Sequence, residues 1–362
     1  HGMPAYLNRI GTAVPPHDVH AAFVGFVAQR LTDDHDRRLF ARLASRSAIA
    51  HRYSFVDPLA QLSADGTGAF YVPGAFPSTA TRMRRYEQHA PALAADAIEA
   101  LALGADRHRI THLVVASCTG FMAPGLDQVL VRRLGLSPSV ERTVVGYMGC
   151  YAGVTALRLA HHLVRSDASA RVLVVSLELC TLHFQDTTTI EELLSMLLFA
   201  DGSAAALVTA DPVGFELRDF RSASLQEAAH AITWQIGDEG FVMHLSTEVP
   251  RIIRGAMELE CARDDDAGLL RGTSPAQYPL WAVHAGGRAI LDAVEAGFAL
   301  PSGQLDASRT VLREQGNMSS ATILFILKQL LADAREAPRG TPGFGVAFGP
   351  GLAAESFRFA VA

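Results

Sequence analysis

One cysteine stands in a glycine-rich stretch, "GYMGCYAG" (146–153), directly after an apolar β-type run and directly before a helix-type run. A thiol at a helix start lies near unpaired N–H groups and the positive end of the helix dipole, which both favour an anion. We therefore expect the pKa of Cys150 to be lowered and its thiolate to act as a nucleophile. The alternative is a small buried core residue, and only partner residues can decide between the two roles.

Two residues elsewhere in the chain can serve as such partners. His284 ends an apolar run in "WAVHAGGRAILDAV", just before Gly286 and Gly287, which permit close approach of the backbone to a ligand. Asn317 begins a helix-type run in "EQGNMSSATILFIL", where it is either an ordinary N-cap or an amide donor to an oxyanion. Taken singly, each is explained more simply as a structural residue. Together with Cys150 they share one setting, a glycine neighbour at a predicted strand-to-helix junction.

The elements that position these residues are predicted from apolar periodicity. Three continuous apolar runs, at 111–118, 142–150 and 171–179, predict strands, and segments 17–60, 85–103 and 151–165 predict helices. Because the strands are continuously apolar rather than alternating, we expect a sheet covered on both faces and hence an α/β protein. Segments 197–208 and 346–357 share the pattern F-x-x-G-x-A-A, and we expect each to form a strand, a glycine turn and a strand.

The two halves of the chain carry matching features. "GC" at 149–150 and "GN" at 316–317 each precede a long helix-type run, as expected if one unit occurs twice. Matches of this length also arise by chance, so both possibilities stay open at this point. Polar sequence with proline and glycine at 209–219 marks the predicted boundary. The predicted domains are residues 1–212, which carry the cysteine, and 213–362, which carry the histidine and the asparagine.

Composition limits the classes of function. A chain of 362 residues with 49% hydrophobic and 19% charged residues is long enough for two packed halves and is not a disordered chain. Its net charge of -6 provides no general basic field for nucleic acid, so we expect a small-molecule partner. The four widely spaced cysteines favour reduced thiols and a cytoplasmic location. The apolar runs are far shorter than the ~20 residues of a membrane span, so stable membrane insertion is not expected.

Five blocks of the sequence then point to a family. They are "GCYAGVTALRLA", "LLFADGSAAALV", "VHAGGRAILDAVE", "GNMSSATILFIL" and "GFGVAFGPGLAAES", in this order. In order and spacing the chain resembles the type III polyketide synthases, the chalcone-synthase-like branch of the thiolase superfamily, over essentially its whole length. The resemblance implies a duplicated, five-layered αβαβα thiolase fold and a homodimer. It also implies iterative decarboxylative condensation of malonyl-CoA onto an acyl starter from acyl-CoA, without a metal or redox cofactor.

The resemblance also implies roles for single residues. Cys150 matches the nucleophile that carries the acyl chain, and His284 and Asn317 match the other two catalytic positions. His284 can stabilise the thiolate, and both partners can donate to the oxygen of the developing enolate. Phe199 matches the gatekeeping aromatic residue between the coenzyme A tunnel and the reaction chamber. The further substrate-binding positions implied are Arg42 and Arg46 at the coenzyme A phosphates, Gly286 and Gly287 beside the histidine, and Gly349 and Pro350 in the chamber loop.

Three departures from the plant enzymes bear on the starter. Met243 replaces a second gatekeeping phenylalanine, Ala123 replaces a methionine, and Cys118 replaces a threonine. Met243 implies a softer entrance that is less selective for aromatic starters. The changes at Ala123 and Cys118 remove bulk or polarity and are similar to bacterial relatives that accept long fatty acyl-CoA through an extra apolar tunnel. The leading hypothesis is therefore a medium- or long-chain starter and an alkylpyrone or alkylresorcinol product. Cys180 replaces a threonine that helps to steer ring closure in some relatives, which leaves the mode of cyclisation open.

Three alternatives remain. The first is a malonyl- or short-acyl-primed synthase with a phloroglucinol-, naphthalene- or dihydroxyphenylacetate-type product. The second is a ketoacyl synthase that initiates fatty acids, whose asparagine-rich histidine motif is not matched by "VHAGG". The third is a catalytically inactive thiolase-fold module that serves as a binding or scaffold protein.

Overall fold

The computed structural model of the protein describes residues 2–58 and 69–362. Its strands are β1 (Ala5–Ala13), β2 (His17–Asp18), β3 (Tyr53–Ser54), β4 (His112–Ser117), β5 (Glu141–Gly146), β6 (Val172–Leu179), β7 (Asp201–Thr209), β8 (Phe215–Ser224), β9 (Ile232–Gly237), β10 (Gly240–Leu245), β11 (Leu280–Val283), β12 (Pro342–Gly349) and β13 (Ala353–Val361). Its α-helices are α1 (His20–Arg30), α2 (Asp34–Ser45), α3 (Thr79–Ala100), α4 (Leu126–Leu134), α5 (Ala152–Ser166), α6 (Ile190–Met196), α7 (Val249–Ala262), α8 (Arg288–Gly297), α9 (Asp306–Gln315) and α10 (Thr322–Asp333).

Local chemistry explains several helix ends. Asp33 and Ser78 cap α2 and α3, because each side chain accepts a hydrogen bond from a backbone N–H in the first turn. Gly135 ends α4 in the left-handed conformation, with φ of 63°, as glycine does at helix C-termini. These ends are therefore set by residues adjacent in sequence.

The main sheet repeats one topology. In the described residues, nine strands form a mixed sheet in the order β11-β12-β13-β8-β1-β7-β6-β4-β5. In the first half, β4 is parallel to β5 and β6, whereas β7 is antiparallel to β6 and β1. In the second half, β11 is parallel to β12, and β13 is antiparallel to β12 and β8. The antiparallel pair β1–β8 joins the halves. The duplication that the sequence left open is therefore present in the strand order.

Two central helices pack between the halves. α5 and α10 begin shortly after Cys150 and Asn317, pack against each other, and contact strands of both halves. Residues 322–327 of α10 are all buried, as expected for a helix whose first turns are apolar on every side. Gly153 permits this approach, since a Cβ there would collide with the carbonyl oxygen of Ser320. Cys150 and Asn317 thus lie shortly before the two central helices.

Most predicted elements are confirmed, and two are wrong. The strands β4 and β6 and the helices α3 and α5 lie close to their predicted limits. The sequence predicts a helical segment over 17–60. In the structure the helical part ends with α2 at Ser45, and the chain then runs extended into β3, which pairs with β2. Pairing with a distant strand outweighs local helix propensity there. Residues 59 and 60 lie outside the described residues.

The predicted hairpin at 197–208 is also wrong. The segment has one strand, β7, and Gly202 lies inside it rather than in a turn. A Cβ at Gly202 would collide with the sulfur of Met318, so this glycine permits close packing. The corresponding hairpin at 346–357 is confirmed, since β12 and β13 pair antiparallel around residues 350–352.

Within residues 2–58 and 69–362, none of the helices has both the length and the apolar character that crossing a bilayer requires.

Candidate active site

Cys150 lies in the turn between β5 and α5. Gly149 has φ of 96°, and a Cβ there would collide with the ring of Pro350. Glycine is therefore required by the backbone angle and by the contact with the 349–351 loop. The turn continues into the helix through a hydrogen bond from the Ala152 N–H to the Gly149 carbonyl (3.0 Å). The thiol is buried at the base of this turn.

His284 follows β11 and is buried. Its backbone N–H donates to the Val346 carbonyl at 2.9 Å, which fixes the residue to β12. Neither ring nitrogen has a hydrogen-bond partner among the described residues. Both nitrogens are therefore free to exchange protons or hydrogen bonds with a substrate or with a neighbouring group.

Asn317 uses its side chain in two directions. The Oδ1 atom accepts from the Ser319 N–H at 2.8 Å, as an N-cap does, and lies 4.0 Å from the Cys150 sulfur. The Nδ2 atom donates to the Gly286 carbonyl at 3.3 Å. Both roles weighed from the sequence are thus geometrically open, because the amide nitrogen has a second hydrogen available for a ligand.

The three candidate catalytic residues line one cavity. We call it the middle cavity, and its lining also includes Phe199, Ile232, Met243, Leu245, Gly286, Ile290, Phe348 and Gly349. Residues from both halves of the fold therefore meet here, although Cys150 and Asn317 are 167 positions apart in sequence.

Burial sets the protonation of two of these groups. It raises the pKa of the Cys150 thiol to about 11, against smaller opposite effects of its hydrogen bonds with Ser319 and Asn317. It lowers the pKa of His284 to about 4. The lowered cysteine pKa expected from the helix start is therefore not found in the free protein, because loss of hydration outweighs the helix end. Joint ionisation by proton transfer from Cys150 to His284 would create opposite charges that attract strongly in this cavity.

The middle cavity lies between two larger spaces. An outer groove is lined by Leu43, Arg46, Leu198, Ser246, Gly286, Gly287, Arg288 and Ile290, among others. An inner chamber is lined by Cys118, Cys150, Cys180, His183, Phe184, Met196, Phe199, Trp234, Val242 and Met243, among others. Gly286 and Ile290 line both the groove and the middle cavity, whereas Phe199 and Met243 line both the middle cavity and the chamber. Phe199 and Met243 therefore lie between the middle cavity and the chamber, and their gatekeeping role stays a prediction.

Two cations lie at the outer groove. Arg46 lines it and is exposed, and Arg288 lines it and donates to the Arg46 carbonyl at 3.1 Å. Arg42 lies one turn earlier on α2 and is exposed, but it is not in the lining of the groove. Arg288 was missed from the sequence, although its position directly after Gly286 and Gly287 was a usable signal.

The wall of the inner chamber is bulky. His183 stacks on Phe241 with ring centroids 4.2 Å apart, and its two nitrogens bond the Thr119 carbonyl (2.6 Å) and the Phe241 N–H (2.9 Å). Burial lowers the pKa of His183 to about 3, so its ring is neutral. Trp234 donates from its indole nitrogen to the Cys118 carbonyl at 2.7 Å. These fixed rings, which sequence reasoning missed, occupy space that a substrate would otherwise fill.

Cys118 is held by a buried carboxyl group. The Glu178 side chain accepts from the Cys118 N–H (2.7 Å) and from its thiol (2.8 Å), and the sulfur also lies 3.1 Å from the Ser319 hydroxyl. Burial raises the pKa of Glu178 to about 7. Cys118 therefore lines the chamber, and its thiol is engaged with Glu178, which the sequence analysis did not single out. Its contact with substrate stays a prediction.

Of the remaining predicted positions, two lie at the site and one lies outside it. Gly349 lines the middle cavity, and Pro350 packs against Gly149 beside the cysteine. Ala123 is exposed in the loop before α4 and lies outside the lining of the groove, the middle cavity and the chamber. The tunnel role of Ala123 thus stays a prediction without support from this single chain. In the described part of the chain, no group of three or more His, Cys, Asp or Glu side chains is arranged to hold a metal ion.

A duplicated α/β fold of this topology defines a thiolase-fold protein. Family models of the chalcone and stilbene synthases match nearly the whole chain, with the N-terminal domain at residues 2–212 and the C-terminal domain at residues 217–361. The chain belongs to the chalcone and stilbene synthase family, and it is an acyltransferase of the type III polyketide synthase class.

Solved structures agree with this assignment. The C-terminal type III polyketide synthase domain of Steely1, a type I/III hybrid from Dictyostelium, is 26% identical with a TM-score of 0.88, covering 99% of each chain. PKS-I from the brown alga Ectocarpus siliculosus is 25% identical with a TM-score of 0.86, covering 100% of this chain and 99% of that one. A point mutant of CsyB, at 22% identity and a TM-score of 0.85, covers 99% and 100% and supports the fold alone. The fold predicted from the sequence is confirmed.

Proposed function

We propose that the enzyme transfers a starter acyl group from acyl-CoA to Cys150 and extends it by decarboxylative condensation with malonyl-CoA. The observation that supports this proposal best is the middle cavity, where Cys150, His284 and Asn317 meet between a groove open to solvent and an inner chamber. A thioester carbon can thus reach the thiol from the groove, while the acyl chain extends into the chamber.

In the loading step, Arg46 and Arg288 hold the phosphates of coenzyme A in the outer groove. His284 takes the thiol proton, and the Cys150 thiolate attacks the thioester carbonyl. The tetrahedral intermediate collapses with cleavage of the C–S bond to coenzyme A. The departing thiolate receives the proton from the His284 imidazolium, so the histidine returns to its neutral form.

In the extension step, malonyl-CoA replaces the free coenzyme A. The His284 ring and the Asn317 amide donate to the thioester oxygen, and the C–C bond to the carboxylate breaks to release CO2. The resulting enolate attacks the Cys150 thioester and frees the thiolate. Since both His284 nitrogens lack hydrogen-bond partners within residues 2–58 and 69–362, the histidine needs no other bond broken before it acts.

The geometry favours a malonyl or short acyl starter. The chamber wall includes His183 and Trp234, whose rings are fixed by hydrogen bonds, and Phe241 stacks on His183. Ala123, on which the long-chain hypothesis depended in part, is exposed and outside the chamber lining. We accordingly propose a phloroglucinol-, naphthalene- or dihydroxyphenylacetate-type product.

A second candidate is the medium- or long-chain starter with an alkylpyrone or alkylresorcinol product. It is supported by an aromatic pocket beyond the chamber, which shares Phe184, Gln185 and Met196 with the chamber lining and continues to Phe23 and Phe76. Met196 is flexible enough to turn aside and join the two spaces.

We also propose that two copies of the chain form the enzyme and that it acts in the cytoplasm. The edge strand β5 exposes Val144, and Phe121 is exposed nearby, as expected for a strand and an apolar patch that a second copy covers. The four cysteines are free thiols, which supports a reducing compartment. The proposed chemistry uses acyl-CoA and malonyl-CoA and requires no metal or redox cofactor.

The decisive experiment is incubation with malonyl-CoA alone and with each member of a series from acetyl- to palmitoyl-CoA. Mass spectrometry of the intact protein reports acylation, and mass spectrometry of the products reports starter and ring type. Acylation at Cys150 with CO2 release supports the proposal, and products from malonyl-CoA alone support the short starter. The absence of both acylation and CO2 release would support the inactive scaffold.

A further inference from the structure

Arg52 is a fully buried arginine directly before β3, behind the gatekeeping residue. Its Nη1 atom donates to the carbonyls of Phe199 (2.7 Å) and Met196 (3.3 Å), and its Nε atom donates to the His20 ring at 2.9 Å. The guanidinium also lies 4.9 Å from the centroid of the Phe23 ring. The side chain is therefore locked between α1 and the segment that ends α6.

No carboxylate in the described residues forms an ion pair with Arg52. Asp18 and Asp201 act on it only at longer range, and burial lowers the pKa of Arg52 to about 9, so it is cationic at neutral pH. A buried charge without a direct counter-ion is seldom a source of stability, and apolar residues of similar volume often replace such groups without loss. Global stability alone thus does not account for this arginine.

The segment whose carbonyls Arg52 holds forms a backbone bridge between the two halves of the enzyme. The Asn317 N–H donates to the Leu198 carbonyl at 2.8 Å, and the Ala200 N–H donates to the Asn317 carbonyl at 2.9 Å. Arg52 fixes the carbonyl of Phe199, which lies between Leu198 and Ala200, and the carbonyl of Met196 two residues before Leu198. Fixing this segment therefore also fixes the backbone of Asn317.

Arg52 contacts the other side of the bridge as well. Gly316, which precedes Asn317, has φ of 72°, and a Cβ there would lie 2.8 Å from the Arg52 Cγ and 3.0 Å from the Leu198 carbonyl oxygen. The chain at 316 thus needs glycine for its backbone angle and for the arginine stem that passes beside it. The Arg52 side chain therefore contacts Phe199 on one side of the bridge and lies beside Gly316, the neighbour of Asn317, on the other.

We propose that Arg52 is a positioning residue for the extension step, which sets the Phe199 backbone and, through the bridge, the Asn317 amide. It does not touch the substrate. The proposal rests on the function proposed above, in which Asn317 donates to the malonyl thioester during decarboxylation, whereas loading needs Cys150 and His284. Arg52 then matters for extension more than for loading.

The test compares the two steps in Arg52→Met, Arg52→Lys and a matched control. Arg82→Met is that control, because Arg82 is equally buried and also holds carbonyls, those of Leu182 and Phe184, away from the bridge. Loading is measured as acylation of Cys150 by starter acyl-CoA, and extension as CO2 release from malonyl-CoA. We expect Arg52→Met to lower extension roughly tenfold to 100-fold relative to loading, as a small displacement of a catalytic donor does.

We expect Arg52→Lys to change the ratio of the two rates in the same direction but less, and Arg82→Met to leave the ratio at the parent value. Partial unfolding would lower both rates together and would not move this ratio. A parent-like ratio in Arg52→Met overturns the proposal, and if that variant does not fold, a parent-like ratio in Arg52→Lys overturns it. Failure of the parent enzyme to acylate Cys150 or release CO2 would instead refute the proposed function.

Discussion

Phe199 and Asn317 form a parallel backbone bridge between the two halves of the fold. Phe199 precedes β7 in the first half, and Asn317 precedes α10 in the second half. The residue between groove and chamber and the proposed amide donor are therefore held in one hydrogen-bonded unit. Displacement of either backbone would strain the hydrogen bonds to the other. The middle cavity is therefore sensitive to changes in either half.

The first prediction concerns the nucleophile. Replacement Cys150→Ala should reduce product formation to the detection limit and leave folding intact, because a small residue replaces a small one. Intact-protein mass after incubation with acyl-CoA should show no acyl adduct. Cys261→Ala is the control, since Cys261 is an exposed thiol on α7 and should leave acylation unchanged. Substantial turnover by Cys150→Ala would exclude this cysteine as the acyl carrier.

The second prediction concerns the base. If His284 takes the Cys150 proton, His284→Ala should slow alkylation of Cys150 by iodoacetamide at pH 7. In that variant the cysteine is a lone buried thiol whose pKa burial has raised, so alkylation should accelerate about tenfold per pH unit from neutral to alkaline pH. Stopped reactions analysed by peptide mass spectrometry give the rates. Equal rates in parent and variant at pH 7 would show that His284 does not activate the thiol.

The third prediction separates three arginines. Arg46→Ala and Arg288→Ala should each raise the KM for acyl-CoA about threefold to tenfold with little change in kcat, because phosphate contacts far from the reacting carbon bind ground and transition states alike. Arg42→Ala, one helical turn from Arg46 but outside the groove lining, should raise KM less. Steady-state kinetics on all three variants provide the measurement. A larger effect at Arg42 than at Arg46 would place the phosphates elsewhere.

The fourth prediction tests what limits starter length. Trp234→Ala should improve kcat/KM for longer acyl-CoA more than for acetyl-CoA, since each buried methylene contributes ~0.8 kcal/mol if space is opened for it. Ala123→Met should leave the length profile unchanged if the exposed position of Ala123 also holds in the assembled enzyme. A length profile that changes in Ala123→Met and not in Trp234→Ala would support the tunnel predicted from the sequence. It would also show that the chamber wall at Trp234 does not limit starter length.

The fifth prediction concerns pH and stability. Burial raises the folded-state pKa of Glu178 to about 7, so the folded protein keeps a proton that the unfolded chain loses near pH 4. Its contribution to stability is complete below pH 4, decreases as pH rises to about 7, and is then constant. Glu178→Gln should therefore gain stability relative to the parent between pH 5 and pH 8, by about 3 kcal/mol at most. Urea unfolding at both pH values measures this, and a pH-independent difference would contradict the raised pKa.

Several features of this enzyme were determined by sequence alone. The buried strands β4 and β6 and the helix α5 were predictable because continuous apolar runs and helical spacing depend only on neighbouring residues. Cys150, His284 and Asn317 could be singled out because each combines a reactive side chain with glycine at an element boundary. Their joint presence with the family's sequence blocks identified the fold, although no pairwise distance was known.

Other features were decided only by the tertiary structure. Burial raises the Cys150 pKa rather than lowering it, and the residues that bury the thiol come from both halves of the chain. Gly202 permits packing on Met318 instead of forming a turn, and Arg52 holds a carbonyl 147 positions away. Hydration, packing and hydrogen bonding between segments so far apart leave no local periodicity or motif, because they depend on which surfaces the folded chain brings together.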